Sequence, residues 1–249
     1  MRQQKLLDDS DLLITCLQCY VVKTPHHTIM VDTGVGNNKS RSGWPSWHMK
    51  TDDIFQKALN AAGITFDQID FVMRTHLHSD HVGWNTRLEN GRWVPTFPNA
   101  RYIFLRTEFE YWYELNKKSS VPEFADSVLP IVEAGRAEIV ENDHQIADHI
   151  RMLPTPGHTL GHVAFAFGRN KDHAVFWGDL MYSPLQALYP ELSGSMTPIR
   201  RKPPSRRRAF LERYCDTDTL CCTGHFVSPS VVRIRRKGSG FACDFLQAQ

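Results

Sequence analysis

The chain has almost no net charge, few cysteines and no long apolar run. Its 29 Lys and Arg against 27 Asp and Glu leave a formal charge of +2, too small to announce nucleic acid or an acidic membrane as a partner. No stretch approaches the roughly 18 consecutive apolar residues of a membrane span. The opening Met1-Arg2-Gln3-Gln4-Lys5-Leu6-Leu7-Asp8-Asp9 lacks the apolar core of a secretory signal, so a cytoplasmic location is expected. Six cysteines are too sparse for a disulfide scaffold. Cys16 and Cys19 form a C-x-x-C, and Cys221-Cys222 an adjacent pair, a pattern that suggests a zinc ribbon. Both lie in strand-like apolar runs rather than turns, so buried free thiols are expected instead. Internal repeats, low-complexity tracts and linkers are missing too. With 41% hydrophobic and 22% charged residues, one globular domain over residues 1–249 is expected, with ample room for a buried core.

What is present is concentrated in Thr75-His76-Leu77-His78-Ser79-Asp80-His81, just after the apolar run Ile69 to Met73. Residues i and i+2 of an extended segment point to one side, so His76 and His78 can converge on one metal ion. Asp80 and His81 fall where the chain turns, aimed at a neighbouring point. Packing gives no reason to collect so many titratable groups. Three later pieces share its placement at strand ends. Pro156-Gly157-His158 puts an imidazole on a rigid turn, Trp177-Gly178-Asp179 a carboxylate, and Thr223-Gly224-His225 a further imidazole. Each alone is weak. Together they make five histidines and two aspartates, enough for two metal ions with positions left for water and substrate.

The surrounding pattern alternates strands and helices. A strand from Leu12 to Val22 is expected to pair with Thr28-Ile29-Met30-Val31 in a hairpin that ends at Asp32-Thr33-Gly34-Val35-Gly36. Asn37 to His48 reads as a loop able to carry part of a pocket wall. Helices are expected from Thr51 or Asp52 to about Ala62, around Glu108–Leu115, over Pro122–Ala134, and from Pro203-Pro204 to about Tyr214. Phe71-Val72-Met73, Tyr102 to Leu105, Ile150 to Leu153, Val163 to Phe167, Ala174 to Trp177, Leu220 to Thr223 and Val231 to Ile234 read as strands. The aromatic group Phe109, Tyr111, Trp112 and Tyr113 fits core with one exposed edge better than a ligand box. Two β-sheets packed face to face with helices outside are the expected architecture.

His76, His78, Asp80 and His81 form an H-x-H-x-D-H motif. With His158, Asp179 and His225, the chain resembles the metallo-β-lactamase superfamily from Val31 to His225. The resemblance implies an αββα sandwich with the site at one edge of the sheets. It implies His76, His78 and His158 on one metal, Asp80, His81 and His225 on the other, and Asp179 bridging them. Asp32 is implied as a group that orients a ligand. The implied cofactors are two divalent ions, zinc by default for a nitrogen-rich site, with manganese or iron as alternatives. The implied reaction is hydrolysis of a carboxylic ester by metal-bridging hydroxide, Asp80 passing a proton to the leaving group.

Within the superfamily, Asp179 is unlike true β-lactamases and His78 is unlike flavodiiron proteins. Only 24 residues follow His225, too few for the helical region of glyoxalase II. The segments around Asp80–Asn85, Pro95–Ala100 and Gly178–Met181 look most like the lactonase and methyl parathion hydrolase branch, whose implied substrate is a small lactone or ester. Relatives often carry more residues before the first hairpin, so a pocket wall is expected to be missing, shortened or supplied by a partner chain, and a homodimer is compatible with that. Adjacency singles out Trp84, Asn85, Tyr182 and Ser183 as candidate substrate contacts, Tyr182 as a donor to a carbonyl oxyanion. The run Arg200 to Arg208 could track phosphates in a nuclease. It reads better as a loop and solvated helix face with Phe210, Leu211 and Tyr214 inward. A phosphoester or nucleic-acid hydrolase and a non-catalytic binding member are the rival readings.

Overall fold

Two apolar cores form from separate parts of the chain. The computed structural model describes residues 6–147, 149–193 and 203–246. It divides into two compact units, Cys19–Glu141 and Met1–Gln18 with Asn142–Gln249.

In the unit Cys19–Glu141 the strands are β1 (Tyr20–Lys23), β2 (Thr28–Val31), β3 (Phe71–Met73), β4 (Thr86–Glu89), β5 (Arg92–Pro95), β6 (Arg101–Leu105) and β7 (Ala137–Val140). The helices are α1 (Ile54–Ala61), α2 (Ser79–Val82), α3 (Arg106–Lys118), α4 (Pro122–Ser127) and α5 (Leu129–Glu133). One sheet runs β1-β2-β3-β6-β7 and is parallel except for the β1–β2 hairpin. Val72 and Met73 of β3 are fully buried, as suits a central parallel strand covered on both faces. Met30, Val72, Leu77, Phe97, Tyr102, Phe104 and Phe124 share its core. The parallel register Val31↔Met73 sets Asp32 and Arg74-Thr75 side by side beyond the carboxyl ends of β2 and β3. Open α/β sheets commonly carry their chemistry at such ends.

The second unit holds β8 (Ile150–Pro154), β9 (Val163–Phe167), β10 (Ala174–Phe176), β11 (Leu220–Cys222), β12 (Val231–Lys237) and β13 (Gly240–Phe245), with α6 (Leu185–Leu188) and α7 (Pro203–Tyr214). Its six-stranded mixed sheet runs β13-β12-β11-β10-β9-β8. Its core gathers Val175, Trp177, Phe210, Leu211, Phe226 and Ile234. Parallel pairing of Phe176 with Cys222 brings the Gly178-Asp179 and Gly224-His225 segments together. A Cβ on Gly224 would stand 2.7 Å from the Gly178 carbonyl oxygen, so two backbones touch where any side chain would separate them.

Several expectations need correction. Residues 12–19 are not part of β1. Cys16 N donates to His225 O and Gln18 N to Gly224 O, so this segment spends its backbone on a loop rather than on a ladder. Cys16 and Cys19 are accordingly only half-buried, although all six cysteines are free. The helix expected over Pro122–Ala134 breaks at Val128. Pro130 has no N–H to offer Asp126 O, and that carbonyl accepts from Lys39 Nζ at 2.9 Å and Thr86 Oγ1 at 2.5 Å. The β4–β5 hairpin and β13 are additional strands. Among the described residues no helix is long and apolar enough to cross a membrane.

Candidate metal centre

In the unit Cys19–Glu141, β3 delivers His76 and His78 and the short α2 carries Asp80 and His81. Asp32, buried and in the left-handed backbone region at φ 55°, fastens this stretch. Its carboxylate accepts from Thr75 N at 2.8 Å, from Thr75 Oγ1 at 2.9 Å and from His81 Nδ1 at 2.9 Å. A backbone seam holds the Asp32 turn against α2. Thr33 N donates to His81 O, Gly83 N to Gly34 O and Trp84 N to Thr33 O. A Cβ on Gly83 would stand 1.9 Å from the Val35 carbonyl carbon, so only glycine permits this approach.

These bonds assign tautomers. A carboxylate only accepts, so His81 holds its proton on Nδ1 and presents Nε2 as an acceptor. The Thr75 hydroxyl hydrogen goes to Asp32, so His76 Nδ1–H donates to Thr75 Oγ1 at 3.1 Å and His76 Nε2 carries a lone pair. That atom faces His78 Nδ1 at 3.0 Å. Nitrogens bound at about 2.0–2.1 Å to one tetrahedral zinc stand about 3.3 Å apart, close to this spacing. The donor atoms of Asp80 and His81 also lie within 4.8 Å of each other. From α3, Glu108 accepts from Leu77 N at 3.2 Å and Trp112 Nε1 at 2.8 Å, and the Trp112 ring meets His78 edge-on at 5.4 Å. This bracing holds the two imidazoles in place.

The second unit repeats the logic around one carboxylate. Asp179 Oδ1 lies 2.8 Å from His225 Nε2, and Oδ2 lies 3.1 Å from His158 Nε2. His225 Nδ1–H donates to Cys16 O at 3.0 Å. Tyr182 Oη donates to Asp179 Oδ2 at 2.9 Å, which leaves it to accept from His158 Nδ1–H at 3.0 Å. Both Nε2 atoms therefore turn lone pairs toward the carboxylate. Acceptors that face one another at these distances repel unless a cation or an added proton lies among them. The two oxygens, each toward a different imidazole, suit a carboxylate shared by two cations. The donor set thus fits divalent metal ions in both units.

The other candidates divide. Tyr182 belongs to this cluster, its ring stacked on His225 at 4.9 Å. Ser183 is buried, its hydroxyl accepting from Leu185 N at the start of α6. Asn85 is fully buried and its amide is spent on structure. Its Oδ1 accepts from Arg74 at 2.5 Å and Thr33 Oγ1 at 3.0 Å, and its Nδ2 donates to Ser127 O. Trp84 stacks on Phe55. Asn85, Trp84 and Ser183 thus each have a structural role in packing or hydrogen bonding.

Two contributors escaped sequence reasoning. His162 is buried and accepts from Asp179 N on Nε2 at 3.0 Å, so its Nδ1–H donates to Thr155 Oγ1 at 2.8 Å. It ties the turn that carries His158 to the turn that carries Asp179. Its spacing of four from His158 across Gly161 was the available signal. Arg74 is buried against the Tyr102 and Phe104 rings, and burial lowers it to about 9. A charge inside an apolar run just before the motif was its signal. A separate cleft of about 280 Å³ lies beside Asp172 and Tyr214 and contains none of the motif residues.

Of the run Arg200 to Arg208, Arg200, Arg201 and Lys202 lie outside the described residues. Phe210, Leu211 and Tyr214 are buried as expected. Arg207 departs from a solvated face. It is buried and donates to Leu180 O, Pro190 O and Leu192 O. Arg208 pairs with Glu191 and donates to Ser239 O.

Comparison with known proteins agrees with this chemistry. The chain is 28% identical over 166 residues to the N-acyl homoserine lactonase AiiA of Bacillus thuringiensis subsp. kurstaki, covering 63% of this chain and 60% of that one. The match thus spans about three fifths of that relative's length. A hydrolase titled AbOPH, in the beta lactamase superfamily, superposes with a TM-score of 0.81 at 19% identity, over 98% of this chain and 84% of the other. AidC, a dizinc quorum-quenching lactonase, gives 0.73 at 21%, over 94% and 81%. These likenesses establish a mixed α/β fold with multiple sheets, the metallo-β-lactamase fold. Residues 18–225 match the Metallo-beta-lactamase superfamily as a family, and with the motif side chains placed as described, the chain belongs to the metallo-β-lactamase superfamily.

Proposed function

We propose that the protein is a dinuclear metal-dependent hydrolase of a carboxylic ester, and that the ester is a lactone. The observation that carries this reading is Asp179, whose two oxygens each face a different imidazole nitrogen. His76, His78 and His158 would hold one ion, Asp80, His81 and His225 the other, and Asp179 both. Two divalent ions, when bound, supply a water activated at neutral pH and a polarised carbonyl. Zinc suits the imidazole-rich donors.

The chain's own groups then have definite tasks. Asp32 keeps the His81 proton on Nδ1, and the Cys16 carbonyl does the same for His225, so both rings present Nε2. The Tyr182 hydroxyl stands beside His158 and Asp179, and with Asp179 on the metals its one hydrogen would turn from that carboxylate to the carbonyl oxygen as negative charge develops there. Asp80 can hand a proton to the leaving alkoxide oxygen. The names of the relatives, N-acyl homoserine lactonases and a quorum-quenching lactonase, favour a lactone over an open-chain ester. The commitment of Arg207 and Arg208 to the fold removes much of the support for a phosphate track.

A substrate panel tests the reading. Metal-loaded protein is assayed against N-acyl homoserine lactones, aryl esters, a phosphotriester and bis-nitrophenyl phosphate. The expected order places kcat/KM for lactone first. A phosphodiester that exceeded every lactone and ester would replace the proposal with the nuclease reading.

A further inference from the structure

Three arginines in a row, Arg206 to Arg208, lie near the start of α7, and their environments differ. Arg207 is used up by three backbone carbonyls, and Arg208 by Glu191 and Ser239 O. Arg206 is exposed and makes no ion pair or hydrogen bond among the described residues. It lines a small cleft of about 10 Å³ together with Arg207, the turn Pro156-Gly157-His158, and Asp179. An uncommitted guanidinium thus shares a cleft with two of the proposed metal ligands. Its neighbour is locked by the bonds from Arg207 to residues on both sides of α6, which fixes the helical turn that presents it.

We infer that Arg206 is a specificity residue that binds a carboxylate carried by the substrate at a position other than the reacting ester. This rests on the hydrolase reading and narrows its substrate class to lactones and esters that carry a second, anionic group. A guanidinium offers planar paired donors that match a carboxylate in a two-pronged geometry, which an ammonium cannot reproduce. The Asp179 carboxylate in the same cleft would repel such a substrate, so recognition requires the ions that neutralise it. At the cleft's rim the attraction is exposed to salt and weakens as ionic strength rises.

Two aryl esters of equal length separate this role from general binding: 4-nitrophenyl pentanoate, which is neutral, and the mono-4-nitrophenyl ester of glutarate, which ends in a carboxylate. The quantity read is the ratio of their kcat/KM values within one metal-loaded protein. The wild type should favour the glutarate ester, through KM, and the preference should shrink at high salt. Arg206→Gln should lower the ratio about 10-fold, and Arg206→Lys should restore part of it. Arg208→Gln, on an outer ion pair, should leave the ratio alone. Elemental analysis of every variant guards against metal loss. Calorimetry of glutarate and pentanoate with the same proteins keeps the test independent of turnover. The excess affinity for glutarate should be present in the wild type and lost in Arg206→Gln. If neither ester is hydrolysed, calorimetry alone decides the role of Arg206, and the lactone panel decides the hydrolase reading. An equal ratio, or an equal excess affinity, in wild type and Arg206→Gln would overturn the inference.

Discussion

Lys39 is the residue whose burial has the plainest consequence. Its side chain is 0% exposed, with Nζ donating to Thr86 Oγ1 at 2.6 Å and Asp126 O at 2.9 Å, 3.5 Å above the Trp93 ring. Asp126 lies 3.5 Å away, but its carboxylate is already gripped by both Arg41 terminal nitrogens. Burial therefore wins and pulls Lys39 down from 10.5 to about 7, with Asp126 opposing and Arg41 adding to the fall. In the unfolded chain the amine titrates near 10.4. Between those values the unfolded state binds the extra proton, so stability rises with pH, by at most about 1.4 kcal/mol per pH unit. Burial raises Cys19, Cys222 and Cys243 to about 12. Those thiols, and Cys221 with them, ionise only on unfolding, which turns the slope downward above about pH 8. Denaturant midpoints of chelator-treated protein should thus climb from pH 7 to 8, and Lys39→Met should remove the climb. A wild-type midpoint that stayed level across that window would show that Lys39 remains charged.

At the scale of elements, α7 illustrates how far the chain could be read in advance. Its apolar face and its Pro203 start follow from the sequence pattern, as do β2, β3 and the histidine stretch, because apolar periodicity and ligand spacing are local. Arg207 was indistinguishable from its neighbours, because burial of one guanidinium depends on carbonyls supplied by residues 180–192. Residues 12–19 resemble a strand by composition, yet Leu12 and Ile14 bond back to Asp8 and Leu6, while Cys16 and Gln18 bond to residues 224–225, beyond any local signal. The β4–β5 hairpin did have one, since Asn90-Gly91 adopts positive φ at both turn residues. His162 and Arg74 were hidden because their meaning lies in the group each one faces. The contrast between adjacent arginines is measurable. Arg207→Ala leaves three buried carbonyls without their donor and should cost about 2–4 kcal/mol in denaturant unfolding. Arg208→Ala removes an outer pair and should cost under about 1 kcal/mol. Equal losses would mean that Arg207 does not tie α7 to the 180–192 segment.

Across the whole molecule the proposed ligands are spread from His76 to His225 and divided between two units with separate cores. The donors within each unit come together only when that unit is folded, so ions bound to them stabilise the native state by mass action. The gain grows as RT ln(1 + [L]/Kd), about 4 kcal/mol when free metal exceeds Kd a thousandfold. Removal of metal by chelator should therefore lower the melting temperature markedly, and readdition should restore it. Asp179 turns one oxygen toward each of two imidazoles. Asp179→Ala removes the anion that would offset repulsion between two cations, so its metal content should fall from about two ions per chain. Its melting temperature should then respond little to chelator. The control is Ser183→Ala, a substitution at the start of α6, whose metal content and chelator response should match the wild type. The sign of the comparison is decisive. If Asp179→Ala kept two ions and the full chelator shift, Asp179 would not be the shared ligand. A chelator shift that vanishes together with the second ion would place the metal linkage on that carboxylate.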